Sequence, residues 1–189
     1  MSQPTSALSK LISRMLRHEP ARQGLELDAE GWVDVDALLS AVRRHGSRWR
    51  SVDRGDLETM LARSAKQRHE ISGGRIRALY GHSTPGMVQK TAAEPPPQLF
   101  HGTAPRSVPE ILTSRLRPMG RRYVHLSVDR ETALSVGRRK SPSPVVLRIR
   151  AVRASASGVA FYPGNETIWL AAHVPPEYID EPEKPQAMR

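Results

Sequence analysis

A proline-rich stretch from Ser83 to Gln98 divides this chain into two halves that do not follow one secondary-structure pattern. Pro85, Gly86, Pro95, Pro96 and Pro97 lie there with hardly any apolar periodicity, the composition of a linker. Before it, apolar residues recur at helical spacing. After it, they fall in short runs bounded by Gly, Pro, Ser or Asn. At 189 residues the chain has room for two small domains, each with a modest core. The expectation is an α+β protein with one lobe over 1–82, a linker over 83–98 and a second lobe over 99–189.

Leu8, Leu11, Ile12, Met15 and Leu16 share one face of a helix that can be fixed against a core. Arg17 and His18 follow in its last turn, and Pro20 disfavours helix at Glu19. The two cations are therefore expected on a rigid end, although basic residues also suit a helix C-terminus through its dipole alone. Gly31, Trp32 and Val33 predict a short extended piece. Asp34 is placed to cap a helix carrying Val35, Leu38, Leu39 and Val42 that ends near His45 and Gly46. A third helix starts at Ser51 or Asp53 and carries Leu57, Met60 and Leu61. His69 to Ser72 and Arg75 to Leu79 flank Gly73 and Gly74, a hairpin whose turn tolerates positive φ. Three helices and a hairpin follow the order of a winged helix, an inference that carries little functional weight by itself.

In the second half, strands are predicted at Leu99 to His101, Tyr123 to Ser127, Val145 to Ile149, Val159 to Tyr162 and Thr167 to Ala171. Two helices are predicted, around Val108 to Leu112 and from Asp129 to Val136, the latter closed by Gly137. No GxGxxG run occurs, so a Rossmann dinucleotide site is not supported.

Charge narrows the partner. The chain holds 29 Lys and Arg against 19 Asp and Glu, a formal net charge of +10, which points to a polyanion such as nucleic acid. The excess divides evenly about Lys90, with +5 on each side, as expected if both halves face the same anionic ligand. The absence of cysteine excludes disulfides, thiolate zinc sites and thiol nucleophiles. Neither a run of 18 apolar residues nor a signal-type apolar core near the start occurs, giving the expectation of a soluble cytoplasmic protein away from membranes. Nothing in the pattern demands more than a monomer.

Several residues could carry chemistry. His101, Gly102 and Thr103 end a strand, where Gly lets a ligand approach the backbone and Thr adds a hydroxyl; a plain strand-to-turn exit has the same signature. His125 and Ser127 are two apart on one strand and so share a face, either of a cleft or of a core. Arg138, Arg139 and Lys140 follow Gly137 at a helix end, where complementing the dipole is an equal reading. Arg68 precedes the hairpin in a basic loop. Acids are scarce in these neighbourhoods, which argues against a paired-carboxylate hydrolase and a carboxylate-built Mg²⁺ site, and HExxH is absent. No metal is expected.

Taken in order, these motifs resemble the RNA 2′-phosphotransferase family from about Leu8 to Ile179. Leu16-Arg17-His18-Glu19-Pro20 is similar to its LRHxP box. Gly31-Trp32-Val33, Asp36 to Leu39, Lys66 to Ile71 and the Ile76-Arg77-Ala78 and Gly81-His82-Ser83 pair are similar to its N-lobe signatures. Leu99 to Thr103, Val124 to Ser127, Val136 to Arg139 and Ile168 to Leu170 are similar to its ADP-ribosyltransferase lobe. The chain departs from the family pattern at His69, at Leu79 and Tyr80, at Lys140 and Ser141, and at Asn165 to Thr167.

The resemblance implies removal of an internal 2′-phosphate from RNA, such as spliced tRNA, with NAD⁺ consumed as co-substrate. It implies a catalytic set of Arg17, His18, Arg68 and Arg139, with the phosphate held between two lobes, and NAD⁺ cradled by His101, Gly102, Thr103, His125, Ser127 and Ile168. Two rival expectations remain: an ADP-ribosyltransferase that caps terminal phosphates of RNA or DNA and stops there, and a non-enzymatic winged-helix regulator of duplex DNA.

Overall fold

The computed structural model describes residues 5–64, 66–83 and 89–182, in two compact units, Met1–Lys90 and Thr91–Arg189. In the first unit, α1 (Thr5–Arg17) buries Leu8, Ile12, Met15 and Leu16, the face expected from their spacing. Strand β1 (Trp32–Asp34) leads directly into α2 (Val35–Arg44), because Asp34 turns its carboxylate back to accept from the Asp36 and Ala37 amides. Helix α3 (Arg54–Ala62) begins with a reciprocal capping box between Asp53 and Asp56. Strands β2 (His69–Ser72) and β3 (Arg75–Ala78) form the hairpin, with Gly73 and Gly74 at φ 54° and 79°, values that side chains strongly disfavour. The sheet order is β1-β3-β2, so Trp32 pairs with Arg77 and the long connection through α2 and α3 returns beside its own start. One core, from Leu8 to Ala78, joins the three helices to Val33, Ile76 and Ala78.

The second unit is built on a six-stranded sheet in the order β7-β8-β5-β4-β6-β9. Its strands are β4 (Leu99–Thr103), β5 (Val124–Ser127), β6 (Val145–Ile149), β7 (Phe161–Asn165), β8 (Ile168–Ala171) and β9 (Ile179–Asp180), and all the neighbouring pairs are antiparallel. Leu99, Val124, Leu126, Leu147, Ile149, Phe161 and Ala171 point to one face and form its core. Helices α4 (Val108–Thr113), α5 (Arg130–Gly137) and α6 (Ala151–Ala156) complete the unit.

Three expectations change. Helix α6 was not foreseen, because Ala151 to Ala156 contains too few large apolar residues to show a period; Ala151 and Ala154 nevertheless pack into the core, and Gly158 follows at φ 93°. Strand β7 starts and ends later than predicted and contains Pro163, tolerated because β7 is an edge strand with a register shift between Pro163 and Asn165. Gly137 does not close its helix in a left-handed conformation. It is the last helical residue, followed by Arg138 at φ −57°, and it is small for a packing reason given below.

Of the proline-rich stretch, Thr84 to Val88 lie outside the described residues. Residues 89–98 contain neither helix nor strand but are held: the Gln89 amide donates to Ala29, Lys90 Nζ to the Leu79 carbonyl, and the Ala93 amide to Phe161. No described helix is long and apolar enough to cross a membrane.

Candidate functional site

In the first unit the structure brings Arg17, His18 and Arg68 together. Arg17 is the last residue of α1, and its guanidinium donates to the Arg68 carbonyl at 3.2 Å. The same guanidinium lies over the Tyr80 ring, 5.0 Å from its centroid. Gly81, at φ 90°, runs alongside: a Cβ there would lie 3.5 Å from Arg17 Cδ and from one of its terminal nitrogens. His18 Nδ1 is joined to the Ser83 hydroxyl by a 2.7 Å hydrogen bond, and the Ser83 amide donates to the Arg17 carbonyl. The segment after β3 thus wraps the end of α1 and fixes both cations.

Around them sit two histidines that stay neutral. His69 is buried, its Nε2 sharing a proton with the Ser13 hydroxyl at 3.0 Å, and its pKa falls to about 3 through desolvation and then through the charges of Arg17 and Arg68. His82 is buried as well, and its pKa falls to about 4 through desolvation, Arg17 and Lys90. Its Nε2 has no hydrogen-bond partner among the described residues. Lys90 itself is lowered to about 8, mainly by burial and then by Arg77. Burial is the main cause in each case, and the neighbouring cations add to it in the same direction, a sign of local charge that also favours an anion. Ser13, Tyr80 and Ser83 were not singled out as site residues from sequence. The Gly81-His82-Ser83 motif was the available signal, but only the fold shows that it clasps Arg17 and His18.

A cleft of about 320 Å³ opens beside this cluster, lined by Ser6, Ser9, Lys10, Ser13, Arg14, Arg17, His18 and Arg68. None of its lining residues is acidic. The one described carboxylate paired with them is Glu19, which bonds Arg14 at 3.0 Å and is held below its usual pKa by that contact.

In the second unit, β4 and β5 are paired at one register position, Phe100 with Ser127, whereas β4 pairs with β6 along its whole length. Towards Gly102 and Thr103 the sheet opens between β4 and β5. The His101 ring enters there and Nδ1 donates to the His125 carbonyl at 3.0 Å. A carbonyl can only accept, so Nδ1 carries the proton. Burial lowers the His101 pKa, which leaves Nε2 as an acceptor. His125 Nδ1 in turn donates to the Tyr123 carbonyl at 3.0 Å, and the Tyr123 ring lies 5.3 Å from that of Tyr162. Desolvation and Tyr162 raise the Tyr123 pKa.

The register separates the remaining candidates by face. Ser127 pairs with both Phe100 and Ile168, so His125, Ser127 and Ile168 share the face of Gly102, while His101 and Thr103 lie on the other. Thr103, Ser127 and Ile168 are buried. The expected reason for Gly102, close approach of a ligand, is replaced by a structural one. A Cβ on Gly102 would lie 1.9 Å from the Ala133 carbonyl oxygen of α5, and one on Gly137 would lie 3.1 Å from the Gly102 carbonyl carbon. The two glycines let α5 rest directly on β4. Arg139, exposed in the turn that follows, is thereby held two residues from that contact.

The sequence matches the family described as "RNA 2'-phosphotransferase, Tpt1 / KptA family" over residues 3–173. It is similar to the "Probable RNA 2'-phosphotransferase" of Acetivibrio thermocellus, 50% identical over 174 residues that cover 92% of this chain and 95% of that protein. It is 46% identical to the protein of the same name from Bacillus thuringiensis subsp. konkukian, covering 91% and 92% of the two chains. To that of Burkholderia lata it is 43% identical, with 94% and 91% covered.

Proposed function

This chain belongs to the RNA 2′-phosphotransferase family, and from that premise we propose that it removes an internal 2′-phosphate from RNA, such as spliced tRNA, in a reaction that consumes NAD⁺. The observation that carries this reading is the Arg17, His18 and Arg68 cluster, fixed at a helix end and lining a cleft without carboxylates. Forked guanidinium donors match phosphate oxygens, and donors held in place before the reaction stabilise developing charge without reorganisation. Arg17 and Arg68 bind the 2′-phosphate. Arg139, in the turn after α5, is assigned by the family resemblance to the charge that develops in the second step, and His18 contacts the phosphate or a ribose hydroxyl and takes part in proton transfer. In this reading the first unit is a winged-helix lobe and the second an ADP-ribosyltransferase lobe.

The second unit suits NAD⁺ in the chemistry of its donors and acceptors. The opening between β4 and β5 leaves Gly102 and Thr103 without ladder partners on that edge, and His101 Nε2 and the Thr103 hydroxyl supply polar groups on one face of it. His125, Ser127 and Ile168, which the resemblance adds to the cradle, lie on the opposite face. When bound, NAD⁺ supplies an electrophilic ribose carbon, nicotinamide as its leaving group and a neighbouring 2″-hydroxyl. The RNA 2′-phosphate displaces nicotinamide, which leaves with the bonding pair. The ADP-ribosylated RNA phosphate is then resolved: the 2″-oxygen bonds to phosphorus, and the RNA 2′-oxygen leaves and takes up a proton, giving 2′-hydroxyl RNA and ADP-ribose 1″,2″-cyclic phosphate.

Incubation with NAD⁺ and a short RNA bearing one internal 2′-phosphate tests this. Release of nicotinamide with formation of 2′-hydroxyl RNA supports it. Unchanged RNA, or an ADP-ribosyl adduct that persists with the wild-type protein, contradicts it.

A further inference from the structure

The cleft of the first unit extends well beyond the three residues assigned to the phosphate. Its floor is a polar stripe along α1, with Ser6, Ser9 or Lys10, Ser13 and Arg17 at steps of three or four residues. From Ser6 to Arg17 this stripe runs about 16 Å, several times the width of one phosphate group. Removing a single 2′-phosphate requires one end of it.

The stripe differs from an ordinary solvated helix face in two ways. Ser9 is 4% exposed although it is polar and lines the cleft, and Ser13 is held by the buried His69, so the concavity has a fixed polar floor. Its charge is also of one sign. Arg14 is partly neutralised by Glu19, while Lys10 and Arg68 have no ion-pair partner among the described residues. Hydroxyls alternating with unneutralised cations along a groove are the donors that follow a sugar-phosphate backbone without reading its bases.

We propose that the α1 groove binds the backbone of the single-stranded RNA flanking the 2′-phosphorylated nucleotide, with Lys10 contacting a phosphodiester beyond the one that adjoins that nucleotide and Ser6 and Ser13 offering hydroxyls to backbone oxygens. This rests on the functional reading above and deepens it: Arg17, His18 and Arg68 select the phosphate to be removed, and the groove holds the strand that carries it. Contacts are to the backbone, so the groove gives affinity for strand length and little preference for sequence.

The test compares a 2′-phosphorylated dinucleotide with a longer single strand of mixed sequence carrying the same internal 2′-phosphate. Binding is followed by fluorescence anisotropy over a range of salt concentrations, and turnover by product analysis. For Lys10→Glu, affinity for the long strand is expected to fall about tenfold and the slope of log K against log salt to decrease by about 0.7, the loss of one single-strand phosphate contact. The dinucleotide, which lacks that phosphodiester, is expected to lose clearly less affinity than the long strand and to show a smaller change in slope. Ser6→Asp, whose charge suits a helix N-terminus and so does not threaten folding, is expected to act in the same direction. Equal losses on both RNAs, or no loss on either, overturn the proposal. Should the reaction itself be wrong, neither RNA is turned over while the length-dependent binding and its sensitivity to Lys10→Glu remain. Should only the groove be wrong, turnover persists with affinity independent of strand length.

Discussion

Gly102 of β4 and Gly137 of α5 pack backbone against backbone, and no side chain fits between them: a Cβ on Gly102 would lie 1.9 Å from the Ala133 carbonyl oxygen and 3.0 Å from the Gly137 amide nitrogen. This contact seats α5 on the sheet and sets where the turn carrying Arg139 begins. The clash for Gly102→Ala is with backbone and not with a flexible side-chain end, so the strand or the helix must move. The substitution is expected to destabilise by about 2 kcal/mol or more, at the upper part of the range for overpacked cores. Gly120→Ala, with nothing within 4 Å of the added Cβ, is the control and is expected to leave the melting temperature unchanged. Thermal unfolding of the two variants measures the difference.

Ser83 acts on the site through His18. Ser83→Ala removes the 2.7 Å hydrogen bond to Nδ1 and so weakens the hold on the ring at an exposed position. Losing about 1 kcal/mol of orientation corresponds to roughly a fivefold fall in kcat, with melting temperature unchanged. Ser83→Thr keeps the hydroxyl and is expected to retain most of the activity. Steady-state kinetics on the three proteins check this.

Tyr80 supports Arg17 through its ring face. Tyr80→Leu is expected to raise KM for the 2′-phosphorylated RNA about threefold to fivefold, the equivalent of an exposed cation–π contact, and Tyr80→Phe to have little effect. A change of similar size in Tyr80→Phe would show that the hydroxyl and not the ring is the contact.

Acid should weaken the first unit. His69 and His82 are held neutral in the folded state, with pKa values of about 3 and about 4, against an unperturbed value of 6.5. Between those values the unfolded chain binds protons that the folded chain refuses, so stability is complete above pH 6.5 and falls as pH drops towards 4. Each histidine contributes a slope of about 1.4 kcal/mol per pH unit within its window. Chemical denaturation from pH 7 to pH 4.5 should show this loss, and His82→Asn should make it shallower. A pH-independent midpoint contradicts the assignment of both groups as buried and neutral.

Much of this architecture was readable because local chemistry and tertiary packing agree. Asp34 and Asp129 cap the helices they were expected to cap, Asp53 is the one of the two expected starts that caps α3, and the Gly73 and Gly74 turn fixes the register of its hairpin. What sequence left hidden depends on distant contacts. Nothing local distinguishes a glycine that admits a ligand from Gly102, which admits a helix. Alternation along β4 and β5 shows which residues share a face within each strand, but not that the strands part after Phe100 and Ser127, which is what lets His101 reach the His125 carbonyl. Arg17 and His18 were legible as cations on a rigid end. Their clasp by Tyr80, Gly81 and Ser83 needed the return of the chain past β3.

The central claim is the proposal that this chain removes an RNA 2′-phosphate in an NAD⁺-dependent reaction, with Arg17, His18, Arg68 and Arg139 as its catalytic side chains. The most direct measurement is a time course of wild-type and Arg139→Ala protein with NAD⁺ and a 2′-phosphorylated RNA, resolving substrate, ADP-ribosylated RNA and 2′-hydroxyl RNA. The account predicts full conversion to 2′-hydroxyl RNA by the wild type and accumulation of ADP-ribosylated RNA by the variant. No nicotinamide release by the wild type, or a variant that loses RNA binding without ever forming the adduct, would contradict it.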